Sequence, residues 1–334
     1  MDKSKDRYPD AYSIALKGSI EVNHNIFVPL DKVSNLITDK KRAGESEDFD
    51  FIVNLSKANA KHKVRINFEL LDFAERPLTN PLTYEQKVIL FAVYGLIHEG
   101  TVTFTLSQIY RKIRGNRSVK PKPAELDHIS VILNELANIK ARISYDSKTQ
   151  DILNKSKWSG IVSGTDNLLS FTTYEGFMKN TKRTKIYRLK FTPILGYEDY
   201  YTLKPLFLIY IQQIGQYTFM PDSYYDIKRL DAHNHLKRVQ LDSDRSILVS
   251  YLIERINRCI RSNNRSSNKL PYETIWGDLS IKIDSRMKEK RYKEFTHYCL
   301  DHYCREGFIK KWYVYKDSAS KPRGIEFYYD NKKE

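Results

Sequence analysis

The run His297-Tyr298-Cys299-Leu300-Asp301-His302-Tyr303-Cys304 holds two His and two Cys, the side chains that ligate zinc. On a helix of 3.6 residues per turn, His297 and Cys304 share one face while Cys299 and His302 share nearly the opposite one. Four ligands on opposed faces cannot converge on one ion, and tetrahedral zinc normally draws them from two separated knuckles. The spacing therefore reads as two core residues and two surface residues. His233-Asn234-His235 is a second constellation. Two His one residue apart on a strand share a face and could ligate one divalent metal beside a nucleophile such as Tyr. Here the middle residue is polar, and the flanks Leu230-Asp231-Ala232 and Leu236-Lys237-Arg238 do not read as a buried strand. With 24 Tyr in the chain, a downstream Tyr carries no information. There is no Gly-Lys-Ser/Thr phosphate loop; Gly160 and Gly164 are loosely spaced and have no Lys after them. No paired carboxylates and no Ser/His/Asp arrangement stand out. The expectation is a protein with no catalytic residues, no metal and no cofactor.

What remains is charge. The chain has 334 residues, with 56 Lys+Arg against 41 Asp+Glu, for a net charge of +15. Residues 1–100 sum to −1, 101–200 to +8, 201–250 to +1 and 251–334 to +7. Two basic blocks separated by a neutral stretch suit a long polyanion, because each phosphate neutralised by Lys or Arg releases counterions. Hydrophobic residues at 41% exclude a disordered basic tail. Three Cys suit a reducing cytosol rather than a disulfide framework. No apolar run is long enough for a membrane helix, and the polar start Met1-Asp2-Lys3-Ser4-Lys5-Asp6 is not a signal peptide. The expected location is the cytoplasm, with no membrane partner.

The elements that must position this charge follow from periodicity. Ile26-Phe27-Val28-Pro29 is strand-like, 31–37 is a candidate helix and 38–50 a charged loop. Val64–Leu70 alternates apolar and polar residues, as a half-buried strand does. From Leu82 the pattern turns helical, with Val88, Phe91, Ala92 and Leu96 on one face, a Thr83/Gln86 capping box and Gly100 as the stop. A short β-like Thr101–Thr105, a helix Ser107–Ile113, a turn Gly115-Asn116-Arg117 and a helix opened by Pro123 follow. Arg142–Asp146 reads as a strand, 147–184 as a long polar loop, and Lys185–Phe191 as the returning strand. The C-terminal block repeats the order: helix Ser243–Arg261, loop 261–268, short helix Tyr272–Leu279, long helix from Asp284 or Ser285 to Arg305 stopped by Gly307, then strands Ile309–Tyr315 and Ile325–Tyr329. Between them, Leu203–Ile214 is apolar enough for a buried helix.

This order is that of a winged helix, a helix-turn-helix core with a hairpin attached. The expected class is α+β: a lead-in 1–80, a first winged helix 81–191 with a long wing insertion, a connector 192–242 and a second winged helix 243–334. The tandem resembles the replication initiator (Rep) proteins of theta-replicating plasmids and related mobile elements. The residues that carry the resemblance are Leu82-Thr83-Tyr84-Glu85-Gln86-Lys87-Val88-Ile89-Leu90-Phe91-Ala92-Val93, Phe104-Thr105-Leu106-Ser107-Gln108-Ile109-Tyr110 and the helix 125–140 running into Arg142–Tyr145. It covers about 80–330 and departs at the insertion 147–184, the connector and the lead-in. It implies binding to repeated origin sequences in double-stranded DNA, opening of an A+T-rich region, recruitment of the host initiator and helicase, and exchange between monomer and homodimer.

A helix in the major groove presents polar side chains to base edges while flanking cations hold phosphates. In the first unit Ser130, Asn134 and Asn138 recur every four residues, Arg114, Arg117, Lys120 and Lys122 precede their helix, and Lys182, Arg183 and Lys185 lie on the wing. In the second unit Arg286, Lys288, Lys290, Arg291 and Lys293 crowd one half of the long helix, with Lys316, Lys321 and Arg323 about the wing. Two alternatives stand beside an initiator. One is a tandem winged-helix transcriptional regulator. The other is a metal-dependent nicking protein, since His233-Asn234-His235 is similar to the motif of relaxases and rolling-circle initiators, a resemblance that implies two His on a metal and a downstream Tyr attacking a phosphodiester.

Overall fold

The structure is a computed structural model, and it describes residues 26–29, 47–54, 61–116, 118–145, 163–177, 183–190, 192–194, 197–202, 205–213, 217–262, 268–318 and 320–329. The fold is α+β and divides into two compact units: Met1–Tyr110 with Lys120–Phe219, and Arg111–Val119 with Met220–Glu334. The stretch 192–242 is thus divided between them. The expected helix at 31–37 lies outside the described residues. Among the described residues no helix is long and apolar enough to cross a membrane.

The first unit runs β1 (Ile26–Pro29), β2 (Glu47–Asn54), β3 (Lys61–Leu71), α1 (Tyr84–His98), β4 (Thr103–Thr105), α2 (Leu106–Ile113), α3 (Pro123–Ala137), β5 (Lys140–Tyr145), β6 (Ser163–Asn167), β7 (Phe171–Phe177), β8 (Arg183–Leu189), β9 (Thr192–Ile194), β10 (Tyr197–Thr202), α4 (Leu206–Gln213) and β11 (Tyr217–Met220). β2 begins inside the expected charged loop 38–50. The capping box forms as its spacing requires: the Gln86 backbone N–H donates to Thr83 Oγ1 at 3.2 Å, and the Thr83 N–H donates to Gln86 Oε1 at 2.8 Å. Pro123 takes the first helical position of α3, where its missing N–H would be unsatisfied anyway. α1 and α3 pack against each other, and α3 meets a sheet of order β4-β8-β7 where Ser130 bonds Tyr187. Leu90, Val93, Tyr94, Phe104, Ile109, Leu133, Leu136 and Tyr187 are all fully buried there, and the Phe104 and Tyr187 rings stack 5.6 Å apart.

One expectation is overturned in this unit. Arg142–Tyr145 is not the outgoing strand of the hairpin that ends in β8. It belongs to β5, which lies in a separate antiparallel sheet of order β2-β3-β5-β6, while β7 supplies the hairpin partner of β8. The cause is the free edge of β3. Ala141 and Ile143 bury against it with Ile143 opposite Phe68, and Arg142 pairs with Glu69 at 3.0 Å across the register. The expected loop 147–184 therefore contains two strands, β6 and β7. α4 lies against this sheet as a buried helix, with Phe207, Leu208 and Ile211 fully buried and the Phe207 ring 5.3 Å from Phe68.

The second unit contains β12 (Lys228–Leu230), β13 (Leu236–Arg238), α5 (Ser243–Ser262), β14 (Lys269–Pro271), α6 (Tyr272–Asp278), α7 (Arg286–Arg305), β15 (Lys311–Lys316) and β16 (Pro322–Tyr328). Its main sheet has the order β14-β16-β15. Leu248, Leu252, Ile256 and Cys259 form the buried face of α5, as their spacing predicts. Ser285 caps α7 by accepting from the Lys288 N–H at 3.2 Å, and Gly307 ends it with φ +72°. β14 comes so close to β16 that a methyl at Gly324 would stand 2.4 Å from the Leu270 carbonyl oxygen. The turn after α2 packs into this unit. Arg114 is 4% exposed and its Nη1 donates to the Asp242 carbonyl at 2.7 Å. The zinc-like run resolves on α7: Cys299 and His302 are buried, while His297 and Cys304 are partly exposed. His302 Nε2 lies 2.7 Å from the Ser223 carbonyl, and His297 bonds Tyr272 Oη at 2.7 Å.

Candidate nucleic-acid interface

In the first unit α3 presents Asp127, His128, Val131, Asn134 and Glu135 to solvent, with Val131 55% exposed. Asn134 stands on that face, and Asn138 is exposed as the C-cap. Ser130 does not join them. It is half-buried, with its Oγ 2.9 Å from the Tyr187 hydroxyl, because β8 covers that edge of the helix. Arg114 is likewise withdrawn from any phosphate by its bond to Asp242. Lys120 and Lys122 are exposed, and the Lys122 backbone N–H donates to Glu125. Lys185 is half-buried beside the Tyr187 ring, 5.7 Å from its centroid. Arg183 opens β8, and Arg117 and Lys182 lie outside the described residues. The exposed face of α3 also carries two acids that a count of cations overlooks. One of them, Glu135, is bonded by Gln86 at 2.9 Å.

In the second unit the cations gather on α7 and the β15–β16 hairpin. The five cations of α7 are not equivalent. Lys293 is half-buried, with its amine 2.5 Å from Glu289 and 4.8 Å from the Tyr272 ring centroid. Lys288 is half-buried near Asp284 at 3.6 Å. Lys290 is exposed and only loosely paired with Glu294 at 3.9 Å. Arg286 and Arg291 are exposed and make no ion pair among the described residues. On the β15–β16 hairpin Lys316, Lys321 and Arg323 are all exposed, although Arg323 also meets Glu273 at 3.1 Å. The hairpin tip is stiffened by Asp317, whose carboxylate accepts from the Lys321 N–H at 2.9 Å.

A cleft of about 300 Å³ runs beside α7 and is lined by Arg229, Arg238, Arg245 and Arg291, with Glu294 as its one acid. Arg245 is held over the Phe295 ring at 5.4 Å, and Arg229 over Tyr298 at 5.3 Å. Each ring faces a guanidinium and leaves its charge available, as cation–π packing does. Sequence reasoning missed Arg229, Arg238 and Arg245, because they lie in or beside the stretch read as a neutral connector. A signal was present: Lys228-Arg229-Leu230 and Leu236-Lys237-Arg238 mirror each other about a turn. His233, Asn234 and His235 occupy that turn, with Asn234 at φ +59°, so the two His do not alternate along a strand. Among the described residues no group of three or more His, Cys, Asp or Glu could hold a metal ion.

No protein-family model matches the chain, and no curated protein does. Among solved structures, that of the selenomethionine form of domains 2 and 3 of RctB aligns with 88% of this chain and 96% of that one, at 10% identity and a TM-score of 0.33. A likeness of that depth carries no argument about function.

Proposed function

We propose that this chain is a non-enzymatic, sequence-specific binder of double-stranded DNA that acts as a replication initiator of a plasmid or mobile element. On this reading each unit contains a winged helix, the two bind repeated origin sequences, and the bound chain recruits host replication proteins. The observation that carries the reading is a repeated topology. The second unit has the order helix, strand, helix, helix, strand, strand; the first has the same order interrupted by β5 and β6, which belong to another sheet, and in both the first strand pairs with the last: β4-β8-β7 in one and β14-β16-β15 in the other. That is how a helix-turn-helix core acquires a wing. In the second unit the third helix of the set, α7, exposes Arg286, Lys290 and Arg291.

The test is a footprint on the DNA flanking the gene, followed by transfer of the protected segment and the gene to a plasmid with no other origin. The expected result is protection of direct repeats and autonomous replication. Protection without replication favours the transcriptional regulator, and no protection at all overturns both. Incubation with supercoiled DNA and divalent metal tests the non-enzymatic part of the reading, which a covalent protein–DNA adduct would overturn. Within the first unit Asn134→Ala is expected to relax base preference at one position, since Asn pairs bidentately with adenine. Equal loss on all sequences would place Asn134 against the backbone.

A further inference from the structure

The β12–β13 hairpin is the feature that the winged-helix reading leaves unused. It is short, regular and firmly anchored. Lys228 pairs with Arg238, Arg229 with Lys237, and Leu230 with Leu236. At its base Arg238 makes a bidentate pair with Asp226 at 2.5 and 2.7 Å, and the Val239 N–H donates to Ile227 at 2.8 Å. Arg305 of α7 bonds the Lys228 carbonyl, and Arg229 reaches the Tyr298 hydroxyl at 3.3 Å. At the tip Asp231 accepts from the N–H groups of His233 and His235, both at 2.9 Å, and its other oxygen meets Lys237 at 2.9 Å. These bonds, the one to Lys237 foremost, hold the Asp231 carboxyl below the usual carboxylate range. Both acids of the hairpin are therefore engaged inside it, and four cations flank its two strands.

Between those cations stand two exposed apolar side chains. Leu230 is 48% exposed and Leu236 is 56% exposed, and they face each other directly across the last pair before the turn. A single exposed Leu is ordinary on any protein surface. Opposed residues of an antiparallel pair have Cβ atoms only about 5 Å apart, so these two form one apolar edge. A rigid hairpin with basic arms and an apolar tip has the chemistry of a side-chain wedge. Such wedges enter the minor groove, part the stack at a base step and bend the duplex.

We propose that the β12–β13 hairpin enters the minor groove of duplex DNA, with Leu230 and Leu236 wedged against a base step while Lys228, Arg229, Lys237 and Arg238 lie along the flanking phosphates. Charge complementarity chooses this occupant: the four cations outnumber the two acids that pair with them, Lys237 and Arg238 stay 66% and 51% exposed, and an apolar protein partner has no use for that surplus around two Leu. The arginine-lined cleft continues the same surface towards Arg291, so one path of positive charge joins the hairpin to α7. The proposal rests on the DNA-binding reading and adds a deformation to it. Leu contacts carry no hydrogen-bond code, so the wedge favours steps that unstack easily, such as TA.

The experiment uses the full chain and the double variant L230A/L236A on a duplex labelled at both ends for energy transfer, with 2-aminopurine placed through the protected segment. The wild-type protein is expected to bring the ends closer and to raise 2-aminopurine emission at one step. The variant is expected to bind about tenfold more weakly, with the salt dependence unchanged and both optical signals lost. Both side chains are exposed, so their truncation leaves no cavity, and an unchanged melting temperature verifies this. A minor-groove ligand such as netropsin should abolish the wild-type signals. Bending and emission by the variant equal to wild type would overturn the wedge while leaving DNA binding intact. Wild-type signals indifferent to netropsin would also overturn it. Failure of the wild-type chain to bind any duplex would instead overturn the reading beneath it.

Discussion

Three cations of α7, Arg286, Lys290 and Arg291, are exposed, whereas Lys288 and Lys293 are half-buried and drawn towards Asp284 and Glu289. If α7 lies against DNA, the exposed set should account for most of its counterion release. Each phosphate neutralised on B-form DNA contributes about 0.9 to the slope of log K against log salt. Replacing all three with Gln should therefore flatten that slope by about 2.7. On dilution from 0.2 M to 0.05 M salt, the wild type should gain about 40-fold more affinity than the variant. The control is K288Q/K293Q, which removes two cations already near carboxylates and is expected to change the slope by less than about 1. Fluorescence anisotropy on one labelled duplex across a salt series measures both. An unchanged slope in a folded triple variant would refute the placement of α7 against phosphates. Equal flattening by the two variants would refute the inference that partial burial beside acids withholds Lys288 and Lys293.

Gly324→Ala should destabilise the second unit by about 1–3 kcal/mol, because the added methyl meets the Leu270 carbonyl and the Tyr315 ring; urea unfolding monitored by tryptophan fluorescence measures it. Thr83→Ala should cost the first unit about 1 kcal/mol by removing one half of a capping box, again read by urea unfolding. Burial holds the His302 imidazole below its ordinary value, against the opposing pull of the Ser223 carbonyl and Glu306. The folded state therefore disfavours the proton: its stability is complete above the unfolded imidazole pKa of about 6.5 and is lost as the pH falls below it. The melting temperature should drop between pH 7 and pH 5, and His302→Gln should reduce that drop but not abolish it, since burial lowers His297 as well.

Local signals carried much of the helical structure. The Thr83 capping box, Pro123, Ser285 and Gly307 mark helix ends through bonds or backbone angles formed within a few residues, so the sequence displays them. The strands were legible only where alternation was long. β3 showed it, but β6 is Ser163-Gly164-Thr165-Asp166-Asn167, a composition typical of turns, and it is a strand only because β5 offers it an edge. β14 spans three residues, Lys269–Pro271, too short for any period. The reassignment of β5 has the same origin. A strand's own residues specify its pleat, whereas its sheet is chosen by a partner far away in sequence. Arg114 was misplaced for that reason too, since Asp242 lies 128 residues further on.

Charge is where sequence and structure diverge in an instructive way. A segment sum treats every ionised side chain as equal, and 201–250 sums to only +1. Yet Asp226 is engaged by Arg238 and Asp231 by Lys237, both within the hairpin, so these acids fix its shape. The opposite error arises on α7, where five cations within eight residues suggest a dense patch, yet two of them are half-buried beside acids. Both discrepancies come from ion pairs four to twelve residues apart, close enough to be sought in sequence once helix and hairpin registers are assigned. Net charge therefore describes a whole segment, while pairing and exposure together describe which of its cations stay open to solvent. Lys237 and Arg238 are paired yet keep 66% and 51% of their side chains exposed, so the stretch read as a neutral connector presents cations to solvent around two Leu that a purely electrostatic surface would not need.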